Sequence, residues 1–569
     1  MRKTALLIIL ILALTTAPLL AQKSTTSKPK RASSQAAAPT ALPPAAAAAM
    51  KSIDPQRIRA HVKFLASDLL EGRGTGQRGG DIAAEYIATE LESYGLKPAG
   101  DNGAYMQKVP MVGITTEPAT SIYLLQAGKT EKVKLGDDIV AMDETQNEAD
   151  DIDADVVFAG YGIDAPEYQW NDFKDADVRG KILLMFVNEP PSDDPKFFKG
   201  KALTYYGRWT YKYEQAMRQG ALGCIIIHTT PTAGYGWEVV RNSWGSEQPF
   251  VKLAPGESAL ALVGWVTQDA GDKLLGMAGR TISELLKASE SRDFRPIPLG
   301  IRIHALLPSR IRELETRNVA AVVPGSDPKL KSETVIFTAH WDHLGVGLPV
   351  NGDPIYNGAI DNATGCAVLI ELARAWAALP EKPRRSAVFL SVTAEEGGLR
   401  GSEFYGTHPV FPAGKTAVDL NYDALFPNGR TRDVIVGGAE RTTLWPVVQQ
   451  IAQRMGLAIK PDPRPEQGSY YRSDHFSLAR VGIPAFTIGE GSEFVGRPAD
   501  YGKQIFDEYN SKHYHQPSDE YHEDWDFSGL EQMARFGFLI GVEAANQDQL
   551  PSWQQGDEFL AARENSGVR

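Results

Sequence analysis

From Thr316 onward the chain alternates short apolar runs with stretches at helical spacing, and no other feature of the sequence constrains the fold as strongly. The segments 318–323, 334–339, 386–392, 417–422 and 485–488 read as strands, and 363–378, 445–455 and 529–546 as helices. Strands separated by helices cannot pair as tight hairpins; each crossover returns the chain to the same edge and lays the next strand parallel. The expected fold class is therefore α/β, a mixed and mostly parallel sheet covered by helices on both faces. In such sheets ligands bind beyond the carboxyl ends of the strands, so the residues at those ends matter most.

Metal-type ligands stand at those ends. His340 follows the second strand within Thr338-Ala-His-Trp-Asp-His343, Glu395 and Glu396 follow the third, and Asp423 follows the fourth. Asp361 opens the next helix within Gly358-Ala-Ile-Asp-Asn-Ala-Thr-Gly365, and His515 stands in Tyr514-His-Gln-Pro-Ser-Asp519 near the last helix. Taken singly, a strand-end His reads as structural and a Glu-Glu pair as solvated; convergence on one rim reverses both readings. Imidazole and carboxylate suit zinc, and five ligands exceed what one tetrahedral zinc uses, so two zinc ions per chain are expected. A carboxylate between two cations offsets their repulsion, and a shared water then loses a proton near neutral pH. Adjacent side chains at a strand end diverge, which lets Glu396 bind metal while Glu395 carries the proton. His343 competes as a ligand but is set aside, because Asp342 suits a supporting role against the His340 ring.

These segments resemble the co-catalytic zinc exopeptidases, which include bacterial leucyl aminopeptidases, aminopeptidase Y and glutamate carboxypeptidase. The likeness rests on Ala339-His-Trp-Asp342, Gly358-Ala-Ile-Asp-Asn362, Ala394-Glu-Glu-Gly397, Leu420-Asn-Tyr-Asp423, Ser473-Asp-His475 followed by Gly482-Ile-Pro484, and His515-Gln-Pro-Ser-Asp519, in that family's order. The resemblance implies that His340, Asp361 and Asp423 bind one zinc, that Asp361, Glu396 and His515 bind the other, and that Asp361 bridges. It also implies that Glu395 is the general base and acid and that Tyr514 faces the oxyanion. A middle stretch resembles the protease-associated domain, a mostly-β insertion, through Gly180-Lys-Ile-Leu-Leu184 and Gly220-Ala-Leu-Gly-Cys-Ile-Ile-Ile227.

At 569 residues the chain needs more than one core. The expected organisation is a signal peptide over 1–21, a disordered Ala/Pro/Ser/Lys-rich linker over 22–52, the first part of the peptidase domain over 53–135, the inserted domain over 136–295, the main peptidase part over 296–549 and a tail over 550–569. Arg2 and Lys3 before an apolar stretch fit export, so the protein is expected to be secreted or held in the periplasm or cell envelope, with no membrane span after cleavage. Residues 1–52 hold seven basic residues and no acidic one; removing those seven from 59 leaves 52 against 71 acidic, a body charge of −19. Such a surface repels phosphate backbones and argues against nucleic acid as a partner. Residues 136–155 read as an acidic solvated loop, since the EF-hand spacing is missing. Gly74-Thr-Gly-Gln-Arg-Gly79 matches the dinucleotide fingerprint but lacks the strand that should precede it. Cys224 and Cys366 each lie in apolar runs and are expected to be unpaired.

The expected substrates are peptides or small proteins, with release of N-terminal amino acids favoured because the 21-residue step from His340 to Asp361 is similar to that of the aminopeptidase members. The alternatives are a carboxypeptidase of the glutamate carboxypeptidase type, a glutaminyl cyclotransferase, and a non-catalytic receptor-like ectodomain. The sequence fixes neither the oligomeric state nor the preferred side chain.

Overall fold

The computed structural model describes residues 44–568; the expected signal peptide and most of the expected linker lie outside them. The strands Ala485–Thr487, Thr416–Asn421, Thr334–His340 and Ser386–Val392 run parallel in that spatial order. The end of Ile297–Val323 adds antiparallel to Ser386–Val392, and Met106–Thr116 pairs antiparallel with residues 309–319 of the same long strand. Alternation along the strands divides the interior. Val335, Phe337 and Ala339 face a core built with the helices Pro55–Leu65, Arg78–Ser93, Thr364–Ala377 and Ser528–Asn546. Ile336, Val388 and Leu390 face the opposite core with His475–Arg480. Every residue of Thr334–His340 is buried, as a central strand covered on both faces requires.

A second sheet grows from the first half of Ile297–Val323. Ala149–Phe158 pairs with it antiparallel, Ile182–Phe186, Gly223–Ile227 and Leu262–Val266 follow in parallel, and Ile139–Met142 closes the edge antiparallel. On the other side of the long strand lie Ser121–Gln126 and Lys129–Val133. The module's sheet therefore draws on residues from 121 rather than 136, and its last strand continues without a break into the peptidase sheet.

The acidic stretch is not a solvated loop. Ile139–Met142 is a fully buried strand, and the segment 149–158 alternates, with Ile152 and Ala154 inward and Asp151, Asp153 and Asp155 outward. The outward carboxylates meet basic side chains: Asp153 lies 2.7 Å from Arg302, Asp155 2.7 Å from Lys181, and Asp151 3.1 Å from the His304 ring. Opposite charges in register make the strand compatible with its acidity.

Two further expectations are corrected. Pro44–Lys51, expected in the disordered linker, is a helix: consecutive alanines favour it, Ala46 and Ala49 are buried, and Arg535 donates to the carbonyls of Met50, Lys51 and Ile53. The expected C-terminal tail packs too, with Trp553 and Phe559 buried and Arg563 donating to the carbonyls of Ala413 and Pro551. The glycine-rich turn follows a short 3₁₀ segment, Asp68–Arg73, not a strand. A Cβ at Gly79 would fall 1.7 Å from the Leu70 carbonyl oxygen, so glycine there serves close packing. Cys224 and Cys366 are buried and free. Among the described residues no helix is long and apolar enough to cross a membrane.

Candidate metal centre

His340 is the last residue of its strand, Glu395 and Glu396 follow Ser386–Val392, and Asp423 follows Thr416–Asn421. Parallel alignment alone brings these ends together. His340 Nε2 lies 3.1 Å from Asp423 Oδ1 and 3.3 Å from Asp361 Oδ1. The other oxygen of Asp361 lies 3.7 Å from His515 Nε2, which is itself 3.0 Å from Glu396 Oε2. One carboxylate thus faces an imidazole on each side.

The loop bearing Asp361 is held from several directions. The Asp519 carboxylate accepts the backbone N–H groups of Ile360, at 3.0 Å, and Asp361, at 3.1 Å. Asn362 donates to the Tyr422 carbonyl at 3.0 Å, tying the loop to the strand end that carries Asp423. The buried Arg73 guanidinium donates to the carbonyls of Leu65, Trp341, Asn357 and Gly358, gathering three segments behind the site.

Asp342 does not support the His340 ring as expected. The His340 Nδ1 partner is the Asp342 backbone carbonyl, at 3.2 Å, while the carboxylate stands 3.8 Å away. That carboxylate accepts instead from the backbone N–H of Glu395, at 3.1 Å, and from the Thr75 hydroxyl. It therefore fixes the main chain at the glutamate pair.

His343 belongs to the cluster although it was set aside. Its Nδ1 lies 2.5 Å from Glu396 Oε1, and its ring meets that of His515 edge-on at 5.7 Å. The ligand-type atoms form two groups, each within 4.8 Å: His340, Glu395 and Asp423, and His343, Asp361 and Glu396. The spacing His-x-x-His was the visible signal. What hid it is that the chain leaves the strand at His340 and turns inward, where the His343 N–H donates to the Arg73 carbonyl at 3.3 Å.

The donor set fits zinc. The buried Nε2 atoms of His343 and His515 have no hydrogen-bond partner, since the 3.0 Å approach of His515 to Glu396 is out of hydrogen-bonding geometry. Unpartnered ring nitrogens among carboxylates are what a bound cation would satisfy. The electrostatics agree. Burial opposes charge on His515, yet Glu396 and Asp361 carry its pKa up to about 10, and Asp423, Glu395 and Asp361 likewise outweigh burial at His340. Burial also works against ionised Asp361 and Glu396, but the surrounding imidazoles hold Asp361 well below the usual carboxylate range and Glu396 at about 2. Glu395 goes the other way: burial, then Glu396 and Asp423, push it well above the usual range. Two adjacent glutamates are thus driven apart in protonation.

Two cavities meet at Glu395 and Tyr514. One, of about 110 Å³, reaches from Glu396 and His515 to the inserted module's Arg208 and Trp244; the other, of about 1160 Å³, runs past Asp361 and Asp423. Tyr514 is half-buried, its ring centred 4.0 Å from that of His515 and tilted 34° to it. The module's Arg208 and Trp244 thus form part of the cavity wall.

Residues 318–536 match peptidase family M28. The fold is similar to an aminopeptidase from Aneurinibacillus sp. strain AM-1, at 20% identity over 90% of this chain and 98% of that one, with a TM-score of 0.53. A zinc aminopeptidase from Bacillus subtilis aligns at 18% identity over 89% and 97% of the two chains, with a TM-score of 0.46. A peptidase M28 precursor from Shewanella amazonensis aligns at 18% over 90% and 99%, also at 0.46. The matched stretch contains every candidate ligand and both glutamates, so this chain is a zinc metallopeptidase that carries a peptidase family M28 domain and is similar in fold to the zinc aminopeptidases.

Proposed function

We propose that the chain is an exported exopeptidase that removes N-terminal amino acids from peptides, with His340, Asp361 and Asp423 holding one zinc ion and Asp361, Glu396 and His515 a second. The observation that carries this reading is the placement of the two Asp361 oxygens, one 3.3 Å from His340 Nε2 and the other 3.7 Å from His515 Nε2. When bound, the zinc pair supplies a Lewis acid for the scissile carbonyl and a water of lowered pKa.

The rest is done by the chain. Glu395, which lines both cavities, takes a proton from the attacking water and returns it to the leaving amine. Tyr514 stays protonated, because burial and the carboxylates Asp361 and Glu396 push its pKa well above the usual range, and so can donate to a developing oxyanion. His343 steadies the Glu396 oxygen that it meets. Asp423, its side chain 19% exposed, is a carboxylate at the mouth that can receive a substrate ammonium. The aminopeptidase assignment of the Aneurinibacillus neighbour supports the same polarity.

One observation favours a second reading. Arg208 and Arg472 line the smaller cavity beside Glu395, and Arg208 is half-buried, its buried Nε unpartnered. A guanidinium pair suits a substrate carboxylate, as a carboxypeptidase requires. Digestion of one peptide in free, N-acetylated and C-amidated forms, read by mass, separates the two. Resistance of the acetylated form alone is expected; rapid loss of C-terminal residues from it would move the protein to the carboxypeptidase branch.

A further inference from the structure

We propose that Ser243, on the inserted module's helix Trp237–Trp244, is a positioning residue that sets the tautomer and aim of His515. The inference rests on the proposed role of His515 as a zinc ligand.

Ser243 Oγ lies 2.8 Å from His515 Nδ1 and 2.7 Å from the Val239 carbonyl one turn earlier. A hydroxyl has one proton. With that proton on the Val239 carbonyl, Oγ accepts from Nδ1–H, both contacts are satisfied, and the Nε2 lone pair is left facing Glu396 and Asp361. The reverse assignment leaves the 2.7 Å oxygen pair without a proton and puts a hydrogen on Nε2, where a ligand needs a lone pair.

A second tether acts on the backbone. The buried Asn242 donates from Nδ2 to the His515 carbonyl at 3.2 Å. His515 has φ +54°, a left-handed conformation that a residue with a Cβ rarely adopts without local support. Consecutive residues of one helix thus hold both the main chain and the ring of one ligand. The helix is rooted in the module, where Val240 packs in the module's own core. On this geometry the module completes the metal centre as well as walling the cleft.

The test uses the full chain, stripped of metal and reloaded with zinc or cobalt. In Ser243→Ala, one of two equivalents is expected to bind about 10- to 100-fold more weakly in chelator competition, the usual range for loss of a group supporting a ligand. The visible cobalt spectrum should change, the metal-free unfolding temperature should not, and Ser243→Thr should restore binding. Wild-type affinity for both ions in Ser243→Ala would overturn the proposal, as would equal weakness of the Thr variant or failure of the Ala variant to fold. His515→Ala is the control: if it keeps both ions, the ligand assignment has failed, whereas loss of one ion there with none lost in Ser243→Ala isolates the failure to Ser243.

Discussion

The Asp519 carboxylate accepts the backbone N–H of Asp361 across 158 residues of sequence, at 3.1 Å. The pair makes the position of the carboxylate proposed to bridge the zinc ions depend on a residue outside the proposed ligand set. Asp519 also accepts from Ile360 N–H and the Tyr509 hydroxyl, so Asp519→Ala leaves three buried donors without a partner. Each orphaned donor costs about 1–3 kcal/mol. The variant is expected to lose at least about 3 kcal/mol in urea unfolding and about 100-fold in kcat, since a misplacement of about 1 Å is enough for the latter. Asp519→Asn, which keeps one acceptor oxygen, should fall between. Wild-type turnover in the Ala variant would refute this control of Asp361.

The adjacent glutamates are expected to fail differently. Glu395→Gln should retain two zinc ions by metal analysis and lose several orders of magnitude in kcat, because proton transfer is removed while the ligands stay. Glu396→Gln should lose metal, since its oxygens lie 2.5 Å from His343 and 3.0 Å from His515 inside the ligand cluster. Identical behaviour of the two would contradict the division of roles.

Metal content gives an independent check. Two zinc ions per chain are expected after reconstitution, and chelation should abolish turnover. One tightly held zinc with full activity would leave His515 and Glu396 without their proposed task.

His475 supplies a pH signature away from the ligands. Burial, then Arg441, lowers its pKa to about 3, and neither ring nitrogen has a hydrogen bond. The unfolded chain takes up this proton near the ordinary value of 6.5 while the folded chain does not, so stability is present above that value and lost as the pH falls towards 3. Between about pH 6 and pH 4 the loss is about 1.4 kcal/mol per unit. Urea titrations of His475→Gln across that range should show a slope shallower than wild type by this amount. Parallel slopes would mean that His475 is not held neutral.

The peptidase sheet was legible because its parallel strands are short, mostly apolar runs separated by helices, and three of them end beside His340, the Glu395–Glu396 pair and Asp423. His340, Glu396 and Asp423 could be gathered from the strand-end rule, since parallel alignment places such ends side by side, whereas Asp361 and His515 came from the loop motifs that carry the family resemblance. Ile297–Val323 was legible only over its last six residues. Pro298, Gly300 and Pro308 interrupt the earlier part, although Leu299, Ile301, Ile303, Ala305 and Leu307 alternate inward throughout. The acidic stretch misled for a related reason: its charges are answered by Arg302, His304 and Lys181 on neighbouring strands, pairings that no local window contains. Ser243 and Asn242 lie 272 and 273 residues from His515, and only the folded chain relates them.

The strand Ile297–Val323 belongs to both sheets at once, pairing with Ala149–Phe158 in its first half and with Ser386–Val392 in its last residues. An inserted domain joined by two flexible crossings could melt by itself, but a shared strand denies it that independence. Disorder entering at Ile303 runs along the same backbone towards Val322, beside the strand whose end carries the two glutamates. The two sheets are accordingly expected to unfold as a single cooperative unit, so that heat loosening the outer sheet should reach catalysis before it reaches the far helices.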